Sequence, residues 1–172
     1  NAVAERSDEL IGDILKALPK GYAIALVSDH GFEKIDHVAN LKAKAAAAAI
    51  TGPMDIASGL VATRDAQVAQ WLQSESGKGD VGREIPHEEL MRFAGIDALA
   101  GFEPAPHVTF SSSGPVRAAP SNAGTHGFWP TRPDYHSIFA LSGPGVRPGK
   151  LGEIQMISLK DRFAQVLGLD CR

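Results

Sequence analysis

The sequence predicts an α/β chain, and three observations carry that reading. Val3, Leu10, Ile11, Ile14, Leu15 and Leu18 recur at helical spacing with charged residues between them. Pro19 and Gly21 stop that helix. Directly after them comes Tyr22-Ala23-Ile24-Ala25-Leu26-Val27, a short apolar run between turn residues. Such a run reads as a strand of a covered, mostly parallel sheet, and a helix feeding it is half of an α/β unit.

Further elements follow in order. Residues 40–50 read as a second helix, ended by Thr51-Gly52-Pro53. Residues 59–63 form a weak strand pattern. Asp65 is placed to cap a helix containing Val68, Ala69, Trp71 and Leu72. A polar, glycine-bearing loop is expected over 74–82, a helix over 87–93 and a short strand over 107–110. Residues 111–127, rich in Ser, Gly, Pro and Asn, read as loop. A short apolar run, 137–141, precedes Ser142-Gly143-Pro144-Gly145, and the last helix spans 159–167, closed by Gly168. No repeat appears, and no linker is long enough to divide the chain into domains.

Composition narrows the function. The chain has 172 residues, 44% hydrophobic and 22% charged, which suits a globular domain able to bury a core. A formal charge of −3 gives no sign of a nucleic-acid surface. No apolar stretch approaches the roughly 18 residues of a membrane span. No signal peptide is visible, and a chain opening on Asn1 straight into a helix is expected to have a cut or processed start. The single cysteine, Cys171, excludes an intramolecular disulfide and a cysteine-based zinc cage, and reads as a terminal thiol without function. Any metal is therefore expected on His and carboxylate.

The strongest local feature is Ser28-Asp29-His30-Gly31, placed directly after the apolar run. Ligands of open α/β sheets gather at the carboxyl ends of strands. Adjacent Asp and His converge only at a turn, where Gly31 frees the backbone. A carboxylate oxygen with an imidazole nitrogen makes a zinc-type ligand pair. The alternative is a loop-capping Asp29 beside a turn histidine. Gly124-Thr125-His126-Gly127 is the second feature, a histidine in a glycine setting. Taken singly, each is more often structural; together, at strand edges, they point to a metal site built from separate loops. His37, His87 and His107 lack such context, and His136 is the second-shell candidate through its closeness in sequence to His126. A Ser-His-Asp hydrolase would need a nucleophile elbow of the Gly-x-Ser-x-Gly kind, and none occurs. A phosphate-cradling Gly-x-x-x-x-Gly-Lys loop is absent as well.

Taken in order, Ser28-Asp29-His30-Gly31-Phe32, Gly124-Thr125-His126-Gly127-Phe128 and the segment from His136 through Ser142-Gly143-Pro144-Gly145-Val146 resemble the type I phosphodiesterase/nucleotide pyrophosphatase branch of the alkaline phosphatase superfamily. The opening helix and residues 157–169 are similar too, while 36–121 is diffuse. The resemblance implies an alkaline-phosphatase-like, mostly parallel sheet with helices on both faces. The whole of 1–172 would be the C-terminal part of one catalytic domain, its sheet incomplete and its middle section irregular. It implies hydrolysis of phosphate esters, of phosphodiester or nucleotide pyrophosphate type, at two divalent metal ions, in the first place zinc. Asp29 and His30 would bind one metal and His126 the other. The Thr or Ser nucleophile and the remaining ligands would lie in an N-terminal part outside this chain, leaving the chain alone inactive. A small phosphorylated substrate is implied, and a soluble, exported or periplasmic location. A non-catalytic anion- or metal-binding relic, or a phosphonate hydrolase or phosphomutase of the superfamily, remain alternatives.

Overall fold

The computed structural model describes residues 2–132 and 135–169. Cys171 lies outside the described residues. The chain is a mixed helix/strand protein with small sheets and, among the described residues, five α-helices. It divides into two compact units, 1–28 with 138–172 and 29–137.

The first unit opens with α1 (Ala2–Ala17), whose predicted amphipathic pattern is real but whose residues are none of them buried. Strand β1 (Ile24–Val27) follows, and β11 (Phe139–Ser142) pairs with it antiparallel, Ile24 opposite Ser142 and Val27 opposite Phe139. Ser28 extends the pairing: its N–H donates to the Ile138 carbonyl at 3.1 Å and its Oγ accepts the Ile138 N–H at 2.9 Å. Helix α5 (Leu159–Leu167) ends, as the sequence predicts, at Gly168, whose left-handed φ of 66° closes the helix. Phe163 on α5 meets Phe139 edge-on at 6.2 Å. Two expectations need correction here. β1 is largely exposed rather than covered, and its partner runs antiparallel.

The second unit holds nearly all the core. A three-stranded sheet sets β3 (His37–Asn40) between β8 (Val108–Ser111), parallel to it, and β9 (Arg117–Ala118), antiparallel. A four-stranded antiparallel sheet runs β4 (Asp55–Ala57), β5 (Leu60–Thr63), β7 (Ala100–Pro104) and β6 (Val81–Glu84) in spatial order. Of the named strands, only β3 and β8 pair in parallel, so the mostly parallel sheet read from the apolar runs is not what these strands form. Short loops explain the difference: the tight connection between β4 and β5 can only return antiparallel, whereas a parallel crossover needs a dozen residues or more.

Two helices pack here. Helix α2 (Leu41–Ala47) is capped by Asn40, whose Oδ1 accepts the Ala43 N–H at 3.1 Å. Helix α3 (Ala66–Glu75) is capped by Asp65 through the Val68 N–H at 2.9 Å. Leu41, Val61, Val68, Leu72, Val81, Phe102 and Val108 close the core between them. The short α4 (His87–Glu89) passes into a π-helical turn (Leu90–Ala94). The polar loop expected over 74–82 is shorter than predicted, since α3 runs to Glu75 and β6 begins at Val81. The stretch 111–127, expected as loop throughout, contains β9 and the two-residue β10 (Gly124–Thr125). No helix among the described residues is long and apolar enough to cross a membrane.

Candidate functional site

Two short loops of the second unit bring the predicted residues together. Strand β2 (Glu33–Lys34) pairs antiparallel with β10, Thr125 opposite Glu33 and Gly124 opposite Lys34. His30 lies just before one strand and His126 just after the other, so the pairing carries both histidines to the same end. Their rings stack, centroids 4.2 Å apart and planes within 11°. Phe32 leans on His126 at 6.4 Å.

Asp29 is 86% exposed and His30 40%. His30 Nδ1 stands 2.9 Å from the Gly31 carbonyl oxygen. A proton on Nδ1 donates there and leaves Nε2 with its lone pair, the arrangement that backbone carbonyls impose on ligating histidines. Asp29 Oδ1 is 3.4 Å from that Nε2. If His30 is protonated, the same contact is an exposed ion pair of little worth.

The pair can be tested against the metal that the motifs imply. Tetrahedral ligands about 2.0–2.2 Å from zinc stand about 3.3–3.6 Å from each other. Asp29 Oδ1 and His30 Nε2 therefore fit in kind and in spacing. Stacked imidazoles have their lone pairs in separate, near-parallel planes, so His30 and His126 suit neighbouring positions better than one shared ion. In number the residues fall short, because no group of three or more His, Cys, Asp or Glu among the described residues is disposed to hold a metal ion.

Gly31 sits in the turn for a different reason from the one expected. Its φ is not in the left-handed region; instead a Cβ there would lie 2.5 Å from the Tyr135 carbonyl oxygen. The constraint is close approach, not turn freedom. Behind the His126 loop, Tyr135 Oη accepts the N–H of Gly127 at 2.8 Å and that of Phe128 at 3.4 Å. Phe128 and Tyr135 meet edge-on at 5.6 Å, with Ile35 completing a small buried cluster. Arg132 lies over the Phe128 ring at 4.7 Å, and its Nε pairs with Glu33 at 3.1 Å. His136 stands exposed one residue beyond Tyr135.

The other histidines hold structure. His87 Nδ1 is 3.2 Å from the Ala98 carbonyl. His107, at φ 64°, points Nδ1 at the Lys34 carbonyl, 3.1 Å away, and gives its backbone N–H to Glu33 at 2.6 Å. His37, which no sequence context marks, is mostly buried. Its Nε2 meets Asp80 Oδ1 at 2.8 Å in a half-buried cluster where Lys44 Nζ reaches Asp80 at 2.8 Å and Glu75 at 2.9 Å. Burial pushes the Asp80 carboxyl up, but hydrogen bonds from Lys44 and His37 outweigh it and hold the group below the usual range. The Lys44 bond holds Glu75 down as well. Burial lowers Lys44, yet its two carboxylate partners raise it overall. No local pattern announces this cluster, since its members lie up to 43 residues apart.

The family model described as type I phosphodiesterase / nucleotide pyrophosphatase matches residues 1–94, more than half of the chain. The match takes in Asp29 and His30 and stops short of His126. No curated protein and no solved structure matches the chain.

Proposed function

Because the chain belongs to the type I phosphodiesterase / nucleotide pyrophosphatase family, whose parent activity is hydrolytic, we propose that the intact protein hydrolyses phosphodiesters or nucleotide pyrophosphates at a two-zinc site of which this chain supplies Asp29, His30 and His126. The observation that carries the reading is the stacked pair: His30 with its Nε2 beside Asp29 Oδ1, and His126 at 4.2 Å. Bound divalent ions would lower the nucleophile's pKa and neutralise charge on the attacking and leaving oxygens.

This chain's part is to hold donors. Asp29 and His30 serve one position and His126 the next, and the Gly31 carbonyl keeps the proton of His30 on Nδ1. His136 takes a supporting role close to Tyr135. The Thr or Ser nucleophile and the remaining ligands stand outside these 172 residues, in an N-terminal part of the same protein. That part completes the catalytic domain, of which 1–172 is the C-terminal part. The substrate is a small phosphorylated molecule, and the location is exported or periplasmic.

The test uses the intact protein with stoichiometric zinc against aryl phosphodiesters, phosphomonoesters, phosphonates and sulfates. Diester hydrolysis is expected, and His126→Ala is expected to lower bound zinc and rate together. Absence of turnover on all four classes sinks the proposal. The second reading is a non-catalytic relic that binds an anion or one metal. It predicts zinc binding without turnover, and an upstream sequence lacking the nucleophile.

A further inference from the structure

We propose that Tyr135 is the positioning residue that sets the two histidines against each other, holding the His126 loop with its phenol oxygen while its main chain packs closely against the His30 turn. This rests on the metal-site reading above and extends it to a residue that no motif marks.

Two independent contacts meet at this residue, one on its side chain and one on its main chain. The Tyr135 Oη accepts the N–H of Gly127, the residue directly after His126, at 2.8 Å, and that of Phe128 at 3.4 Å. A phenol oxygen accepting two successive backbone donors fixes the direction of the loop as it leaves His126. On the other side, the Tyr135 carbonyl lies so close to Gly31, the residue directly after His30, that a Cβ there would come within 2.5 Å of its oxygen and 2.7 Å of its carbon. The two loops thus touch opposite ends of one residue.

Tyr135 is itself held. It is 7% exposed, and its ring meets the buried Phe128 edge-on at 5.6 Å. Phe128 in turn lies under the Arg132 guanidinium, which pairs with Glu33 on β2. Apolar packing alone would be served as well by phenylalanine. The hydroxyl adds an acceptor for two N–H groups beside the ligand, so it acts on ring placement more than on the stability of the unit.

Partners that hydrogen-bond a metal ligand directly are worth roughly 10–100-fold in metal affinity, and a contact to the next residue's backbone belongs at the low end of that range. Titration of the intact protein with zinc chloride by calorimetry, alongside thermal melting, separates positioning from plain stability. Tyr135→Phe is expected to bind zinc about tenfold more weakly with little change in melting temperature. Leu72→Ala, in the remote core, is expected to lower the melting temperature while zinc affinity stays at the wild-type level. Gly31→Ala forces a methyl group against the Tyr135 carbonyl and is expected to weaken zinc binding in the same direction, probing the main-chain contact separately. Wild-type zinc affinity in Tyr135→Phe, together with loss in His126→Ala, overturns the role of Tyr135 and leaves the metal site standing. Unchanged affinity in His126→Ala removes the metal site, and this proposal with it.

Discussion

The two units of the chain treat their apolar residues in opposite ways. In the 29–137 unit, Leu41, Val61, Leu72, Phe102 and Val108 are sealed from water. In the other unit Ala164 is the single buried apolar residue among those described, while Val3, Ile14, Tyr22, Val27 and Ile157 stand exposed. Yet α1 and α5 of the exposed unit are more clearly amphipathic than α3 of the packed one. The difference teaches that a pattern reports which face of an element wants burial, not whether anything is there to bury it. The candidate site grows on the well-packed unit, which suits loops whose side chains must keep a fixed geometry.

The comparison breaks most sharply at Phe102. Phe102→Ala opens a cavity in the buried centre of β7 and is expected to cost about 3–5 kcal/mol, read by denaturant unfolding. A loss below about 1 kcal/mol would mean that the unit is not packed as described.

Acid acts next, through the Asp80, Glu75 and Lys44 cluster. Both carboxyls are held below their ordinary values in the folded state. Their contribution is therefore complete above the unfolded carboxylate pKa of about 4 and is lost as pH falls through the lower folded values. Melting temperature is expected to drop below about pH 4, and to drop less steeply in Asp80→Asn. Equal slopes for the two proteins would detach the cluster from stability.

The smallest effect is expected on α1. Ile14→Ser on this exposed helix should change the stability of the isolated chain by no more than about 0.5 kcal/mol. The same substitution in the intact protein sharpens the contrast, since a loss well above that value there means that the apolar face of α1 is covered.

Much of the fold was legible because its signals are local. Helix α3 begins where Asp65 can cap it, α5 ends where Gly168 can turn left-handed, and β1, β5, β8 and β11 coincide with short apolar runs. Strand β7 was not legible. Its residues Ala100, Gly101, Phe102, Glu103 and Pro104 look like loop, and it is a strand because β5 and β6 flank it on both sides. Strands β2, β9 and β10 are two residues each, too short for any period to register.

For the candidate site, sequence by itself determined the residue types, the family, and the two short motifs in which Asp29, His30 and His126 reside. Those are properties of residue identity and near-neighbour spacing, which the chain carries whether folded or not. Tertiary structure alone decided that the two rings stack, that Gly31 is needed for space rather than for its torsion, and that Tyr135 stands between the loops. The ring stack and the Gly31 approach join residues about 95–105 positions apart, and the Tyr135 hydroxyl closes a shorter loop onto Gly127; in each the energy lies in packing and hydrogen-bond geometry that no local pattern encodes.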